Sequence, residues 1–189
     1  GMRMLCTAAI VMAFLGYFGE WLTLLPSELL VGEACARVNE GWSYMVKLDD
    51  FVSLTAENCG QFGADTRLVT GLDGVIASPA GLLEGQRLAL VDVINSAAWI
   101  LVVILLEIEV RLLTRWGGGS RPMARLANSL KVVLYTTLVV AAIYWGFKGD
   151  FLDFWDAALW LFAFVFIELN VFEWQQEIRD QTESAQGPV

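Results

Sequence analysis

Histidine is absent from the 189 residues, and with it go His-ligated haem, zinc and copper sites and every Ser-His or Cys-His catalytic arrangement. Charge is scarce too. Only 17% of residues are Asp, Glu, Lys or Arg, and the 12 basic residues are outnumbered by 21 acidic ones, for a formal net charge of −9. A chain so poor in bases has no electrostatic footprint for nucleic acid, and none is expected as a partner. The three cysteines include no CxxC pair, so a thiol-disulfide enzyme or a zinc ribbon has no support. The glycines of Trp116–Pro122 follow no strand-like run, which makes them a poor phosphate cradle. With no nucleophile or metal set in view, neither an enzyme nor a cofactor is expected.

What the chain does have is apolar surface: 57% hydrophobic and 12% aromatic residues, with a mean hydropathy of +0.57. That is too apolar for an ordinary soluble domain of this size and points to a polytopic membrane protein. A hydrocarbon core of about 30 Å needs roughly 20 apolar residues per helix. Four such windows stand out, over residues 2–26, 88–114, 129–148 and 149–174. The expected fold is therefore all-α, with four transmembrane helices. Gly1 ahead of Met2 reads as an addition to the natural start and is left aside. Arg3 before an apolar run also suits a signal peptide. The length of the run and the lack of a clean small-x-small cleavage site favour a retained helix.

Basic residues orient the spans. Residues 115–128 lie in an acid-free stretch that carries Arg115, Arg121 and Arg125, with Arg111 and Lys131 on either side, which marks the cytoplasmic side. The segment 27–87 holds nine acids and four bases and belongs outside. Both termini, including the 175–189 tail, then lie in the cytoplasm, and a bacterial inner membrane is the expected location. Trp21, Trp116, Trp145, Trp155 and Trp174 fall near span ends, where indoles favour the headgroup level. Cys35 and Cys59 share the outer segment and are expected to form a disulfide in an oxidising compartment. Within that segment, Ser43 to Asn58 places Met45, Leu48, Phe51, Val52 and Leu54 on one helical side, which predicts a short amphipathic helix at the membrane surface or capping the bundle.

An internal repeat appears at an offset of 61 residues. Asp92 falls on Asp153, Asn95 on Asp156, Trp99 on Trp160 and Glu107 on Glu168, without a gap. Asp, Trp and Glu are uncommon inside membrane helices, so these matches weigh more than matched leucines would. The repeat unit is a helical hairpin, and two parallel hairpins follow. At 100° per residue the repeated positions form one polar edge on each helix.

A carboxylate in hydrocarbon is costly enough to call for an interior, a wet cavity or a partner charge. Oxygen-only ligands suit hard cations and protons. The expected permeation or ion-binding residues are Glu107 and Glu168 with Glu109 and Asn170. Asp92, Asn95, Asp153 and Asp156 stand at the outer mouth, with Trp99 and Trp160 as constriction or support. Four helices enclose little space, so cation transport or conduction implies a homo-oligomer. The alternative is an accessory or scaffold subunit whose acidic edges bind a second membrane protein. The bland account also stands: the acids hydrate near the two interfaces, and Arg111 neutralises Glu107 one turn away.

Overall fold

In the computed structural model of the protein, residues 2–116, 121–148 and 151–166 are described. The chain divides into two compact units, residues 1–119 and 120–189. That boundary falls between the two expected hairpins.

The first unit opens with α1 (Met2–Leu24) and closes with α2 (Pro79–Trp116). α1 has no one-sided apolar stripe and is apolar on most of its circumference, the pattern expected of a helix able to cross a membrane. Its run stops before Pro26, which cannot continue a helix. α2 starts nine residues ahead of the expected span, because Ser78-Pro79 is a helix-start signal. The Ser78 hydroxyl accepts from the Gly81 N–H at 3.1 Å, its carbonyl accepts from Leu82 N–H at 2.9 Å, and proline occupies the first helical position, where a missing N–H costs nothing. The register of the two helices is set by Gln86, whose Nε2 donates to the Leu24 carbonyl at 2.7 Å, satisfying an orphan acceptor of the last turn of α1.

Between the helices the structure corrects two expectations: the fold is not all-α, and the outer segment is not a loop carrying an amphipathic helix. It is a five-stranded mixed sheet of β1 (Ser27–Leu29), β2 (Ser43–Lys47), β3 (Asp50–Ser53), β4 (Arg67–Val69) and β5 (Val75–Ala77) in the order β1-β4-β5-β2-β3. All pairs are antiparallel except β2 with β5. Asp49, at φ 63°, reverses the chain between β2 and β3 in a left-handed conformation that Asp tolerates better than most residues. One face of the sheet presents Met45, Val69, Val75 and Ala77 to Leu24, Leu82 and Ala89 of the helices. The other face carries Ile76, Tyr44 and Leu68 against Ala34, Leu54 and Cys59. Because both faces are covered, the polar half of the strand alternation is missing, and the run from Ser43 to Asn58 mimics a one-sided helix instead.

The second layer is held by the Cys35–Cys59 disulfide, which joins two 3-10 segments, Ala34–Glu40 and Cys59–Gln61, with Cα atoms 4.9 Å apart. Some 50 residues bury little core by themselves, so a covalent staple matters. Replacing both cysteines with serine is expected to lower stability by about 3 kcal/mol in the chain-entropy model, read as a drop in the unfolding midpoint of the purified protein. An unchanged midpoint would show that the two cores hold the layer without it.

The second unit contains α3 (Arg121–Lys148) and a further helix, α4 (residues 151–166). Within α3 the Thr136 and Thr137 hydroxyls donate to the carbonyls of Val132 and Val133 at 2.7 and 2.9 Å, which hides two polar groups from an apolar surround. Gly146 gives room to Phe154, whose ring lies 3.3 Å from where a Cβ would stand.

Among the described residues three helices, not the expected four, are long and apolar enough to cross a membrane: Thr7–Leu24, Pro79–Glu109 and Arg125–Lys148. The described part of α4 gives about 24 Å of helix against roughly 30 Å of hydrocarbon. The rest of the expected span, with Glu168, Asn170 and Trp174, lies outside the described residues. Large apolar side chains on the three spans are exposed, Met12 by 72% and Val132 by 65%. Such surface is tolerated in lipid and not in water.

Candidate functional site

Asp92, Asn95, Ser96 and Trp99 recur at helical spacing on one side of α2. Asp92 and Ser96 are each only 8% exposed, and with Thr66 they are the buried polar residues of the described chain. Ser96 Oγ donates to the Val93 carbonyl at 3.0 Å, leaving its lone pairs available. Asn95 is half-buried, yet its Oδ1 is closed off from solvent and accepts no hydrogen bond. An amide oxygen in that condition costs about 1–3 kcal/mol, so it calls for a ligand or a role.

The depth of this group follows from the register. Gln86 marks the level at which α1 ends, so Asp92 lies about 9 Å and Trp99 about 20 Å further in along α2. Glu107 lies about 31 Å from Gln86, which is one hydrocarbon thickness. The polar group of Asp92, Asn95 and Ser96 thus sits inside the apolar span, and Glu107 stands at its far boundary.

Glu107 is ion-paired there. Its Oε1 accepts from Arg111 Nε and Nη2, both at 2.9 Å, with the two side chains 40% and 72% exposed. Glu109, two residues on, is half-buried. Pairing four residues apart at the end of a span is what local helix geometry provides, and an exposed pair of this kind adds little to stability.

The repeat equivalents in the second unit are arranged differently. Asp153, Asp156 and Trp160 are exposed on α4, whereas Ala157, which matches Ser96, is buried. The small residue of each repeat is therefore packed, while the acidic and aromatic positions are buried or half-buried on α2 and open on α4. Glu168 and Asn170 are not among the described residues. An open apolar hollow of about 530 Å³ runs between α3 and α4, lined by Tyr135, Ala142, Phe154, Leu161 and Phe162 among others.

Ser96 had no role assigned from the sequence; its burial beside Asp92 becomes visible only in the packed unit. The closeness of Glu20 in α1 to Asp49 at the β2–β3 turn had no signal in the sequence. No group of three or more His, Cys, Asp or Glu side chains that could hold a metal ion occurs among the described residues. The donor set on α2 is one carboxylate, one amide oxygen and one hydroxyl. That set balances a single positive charge and suits a proton or a monovalent hard cation better than a divalent one.

No protein-family model, curated protein or solved structure matches the chain. The described residues are thus defined by their own features: three helices able to cross a membrane, a disulfide-stapled sheet inserted between the first two, and a polar group buried within the second.

Proposed function

We propose that the protein is a multi-pass inner-membrane protein that conducts or exchanges a monovalent cation or proton, with Asp92, Asn95 and Ser96 as the oxygen site. The observation that carries this reading is the Asn95 Oδ1, shut from solvent and unbonded, on the same helical side as a buried carboxylate. An ionisable residue inside a membrane span is a functional site by default. Trp99 supports the site one turn further in. The Glu107–Arg111 pair closes its inner end, and Glu109 lies just beyond. The sheet faces the oxidising exterior, in keeping with its disulfide, and the basic segment 115–128 and the amino terminus face the cytoplasm. Two helices enclose too little space for a path, so a homo-oligomer supplies the remaining wall.

The test is ligand-dependent stability. Na⁺ and K⁺ are titrated separately, at constant ionic strength set with choline, into the detergent-purified protein, and pH is varied likewise. One of these is expected to raise the unfolding midpoint of the wild type by a few degrees at about 100 times Kd, and to leave an Asp92→Asn variant unmoved. If neither cation nor pH moves the wild-type midpoint relative to the variant, the site reading fails.

A second reading is favoured by a different observation, the exposed Asp153, Asp156 and Trp160 on α4. Carboxylates on the outside of an apolar helix fit the Arg or Lys of another membrane subunit, which makes the protein an accessory subunit. Purification from the native host in mild detergent would then yield a second membrane protein in fixed ratio, lost on Asp153→Asn with Asp156→Asn. Recovery of a homo-oligomer alone would remove this reading.

A further inference from the structure

The sheet has an underside, and its edges are bare. Residues paired across antiparallel strands point to the same face. Met45 is paired with Phe51 and Val69 with Ser27, while Arg67 is paired with Leu29. Phe51, Leu29 and Arg67 therefore lie on the face whose centre, at Met45, Val69, Val75 and Ala77, is covered by the helix residues Leu24, Leu82 and Ala89. β1 and β3 are the two edge strands of the sheet. There the same face leaves a large apolar side chain exposed on each side, Leu29 by 56% on β1 and Phe51 by 43% on β3.

The level of this underside is fixed by three contacts. Gly71 lies so close to α1 that a Cβ on it would stand 2.1 Å from the Thr23 carbonyl oxygen. Asp49, at the turn two residues before Phe51, lies near Glu20 one turn before the end of α1. Arg87 follows Gln86, the residue bonded to Leu24, and is exposed. The underside therefore lies where the spans leave the hydrocarbon. The outer segment carries nine acids, yet neither Arg67 nor Arg87 is in an ion pair among the described residues.

We infer that this underside rests on the phospholipid headgroups of the bilayer crossed by α1 and α2, with Phe51 and Leu29 entering the interface and Arg67 and Arg87 meeting lipid phosphates. The inference depends on the membrane reading of those helices. Exposed apolar side chains combined with guanidinium groups, as where Leu29 pairs with Arg67, are the chemistry of an interfacial surface, since the ring or branched chain enters the acyl boundary while the planar fork binds phosphate. The lipid contact is continuous with the lipid-facing surface of α1. It holds the sheet against the membrane at both of its edges.

Site-directed spin labelling of the full chain in phosphatidylcholine–phosphatidylglycerol nanodiscs tests the inference. In a Cys6→Ser background that keeps the disulfide, nitroxides are placed through Phe51→Cys, Leu29→Cys, Val31→Cys and Leu101→Cys. Val31 is 86% exposed and serves as the aqueous reference, while Leu101, 50% exposed within α2, serves as the lipid reference. Labels at 51 and 29 are expected to favour oxygen over a water-soluble nickel relaxant to a degree between the two references. Combined Arg67→Gln and Arg87→Gln should shift that preference toward water by about twofold or more. Labels at 51 and 29 as nickel-accessible as the label at 31 would overturn the inference and leave the membrane reading intact. Labels shielded from both relaxants would overturn it in favour of a covering protein surface. A water-accessible label at 101 would bring down the membrane reading itself.

Discussion

Gly71→Ala is expected to loosen the sheet from the membrane helices. The new methyl would stand 2.1 Å from the carbonyl oxygen of Thr23 and 2.8 Å from its carbonyl carbon. These are backbone atoms in the last turn of α1, so no rotamer change can make room. Relief requires the segment after β4 to lift away from α1, with loss of the Thr70 N–H to Pro26 carbonyl bond at 3.1 Å. The hydrogen bond from Gln86 to Leu24 and the packing of Leu24 under Met45 and Val69 lie beside that contact. Overpacking against a rigid neighbour costs about 3 kcal/mol at the upper end of its usual range, which for a chain of this size lowers the unfolding midpoint by roughly 6–12 °C. Gly60→Ala is the control, since nothing lies within 4 Å of its Cβ position. Equal midpoints for the two variants would mean that the sheet and α1 do not meet as described.

Asp92→Asn is expected to abolish the proposed cation path while leaving the fold in place. The substitution keeps size and shape and removes one negative charge from a site about 9 Å inside the span. With a single carboxylate in the donor set, a bound cation loses its only counter-charge, and transport should fall by tenfold or more, a loss of about 1.4 kcal/mol per decade. Asn95→Leu removes the unbonded Oδ1 and should weaken cation dependence without lowering stability, because an unsatisfied buried acceptor disappears with it. Glu107→Gln weakens an exposed pair with Arg111 at the inner end and, being far along α2 from Asp92, should lower flux much less than Asp92→Asn does.

Much of this molecule can be read from the chain where the signal is local. The apolar runs of α1 and α3, the pairing of Glu107 with Arg111 and the shared location of Cys35 and Cys59 depend on neighbours in sequence or on composition, and all four are present in the structure. The sheet was not legible for two physical reasons. Three of its strands have only three residues, too short for a period of two to register. Met45 and Tyr44, adjacent in sequence, are both drawn into cores on opposite faces, so no polar alternation marks the strand. The early start of α2 did have a signal in Ser78-Pro79, which the search for apolar windows passes over. The fourth expected span had composition in its favour, and its described part is a shorter helix. The difference between a buried Asp92 and an exposed Asp153 follows from tertiary packing alone, since the two repeats present the same pattern.

The central claim, that the buried oxygen group of α2 carries a monovalent cation or proton across the membrane, is tested most directly by flux into sealed proteoliposomes. Wild-type protein is reconstituted beside its Asp92→Asn variant at matched orientation and density, and Na⁺, K⁺ and proton entry are followed separately. The account predicts entry of one of these well above empty vesicles for the wild type, reduced tenfold or more by the variant. Wild-type flux equal to that of empty vesicles, or equal flux through both proteins, would contradict it.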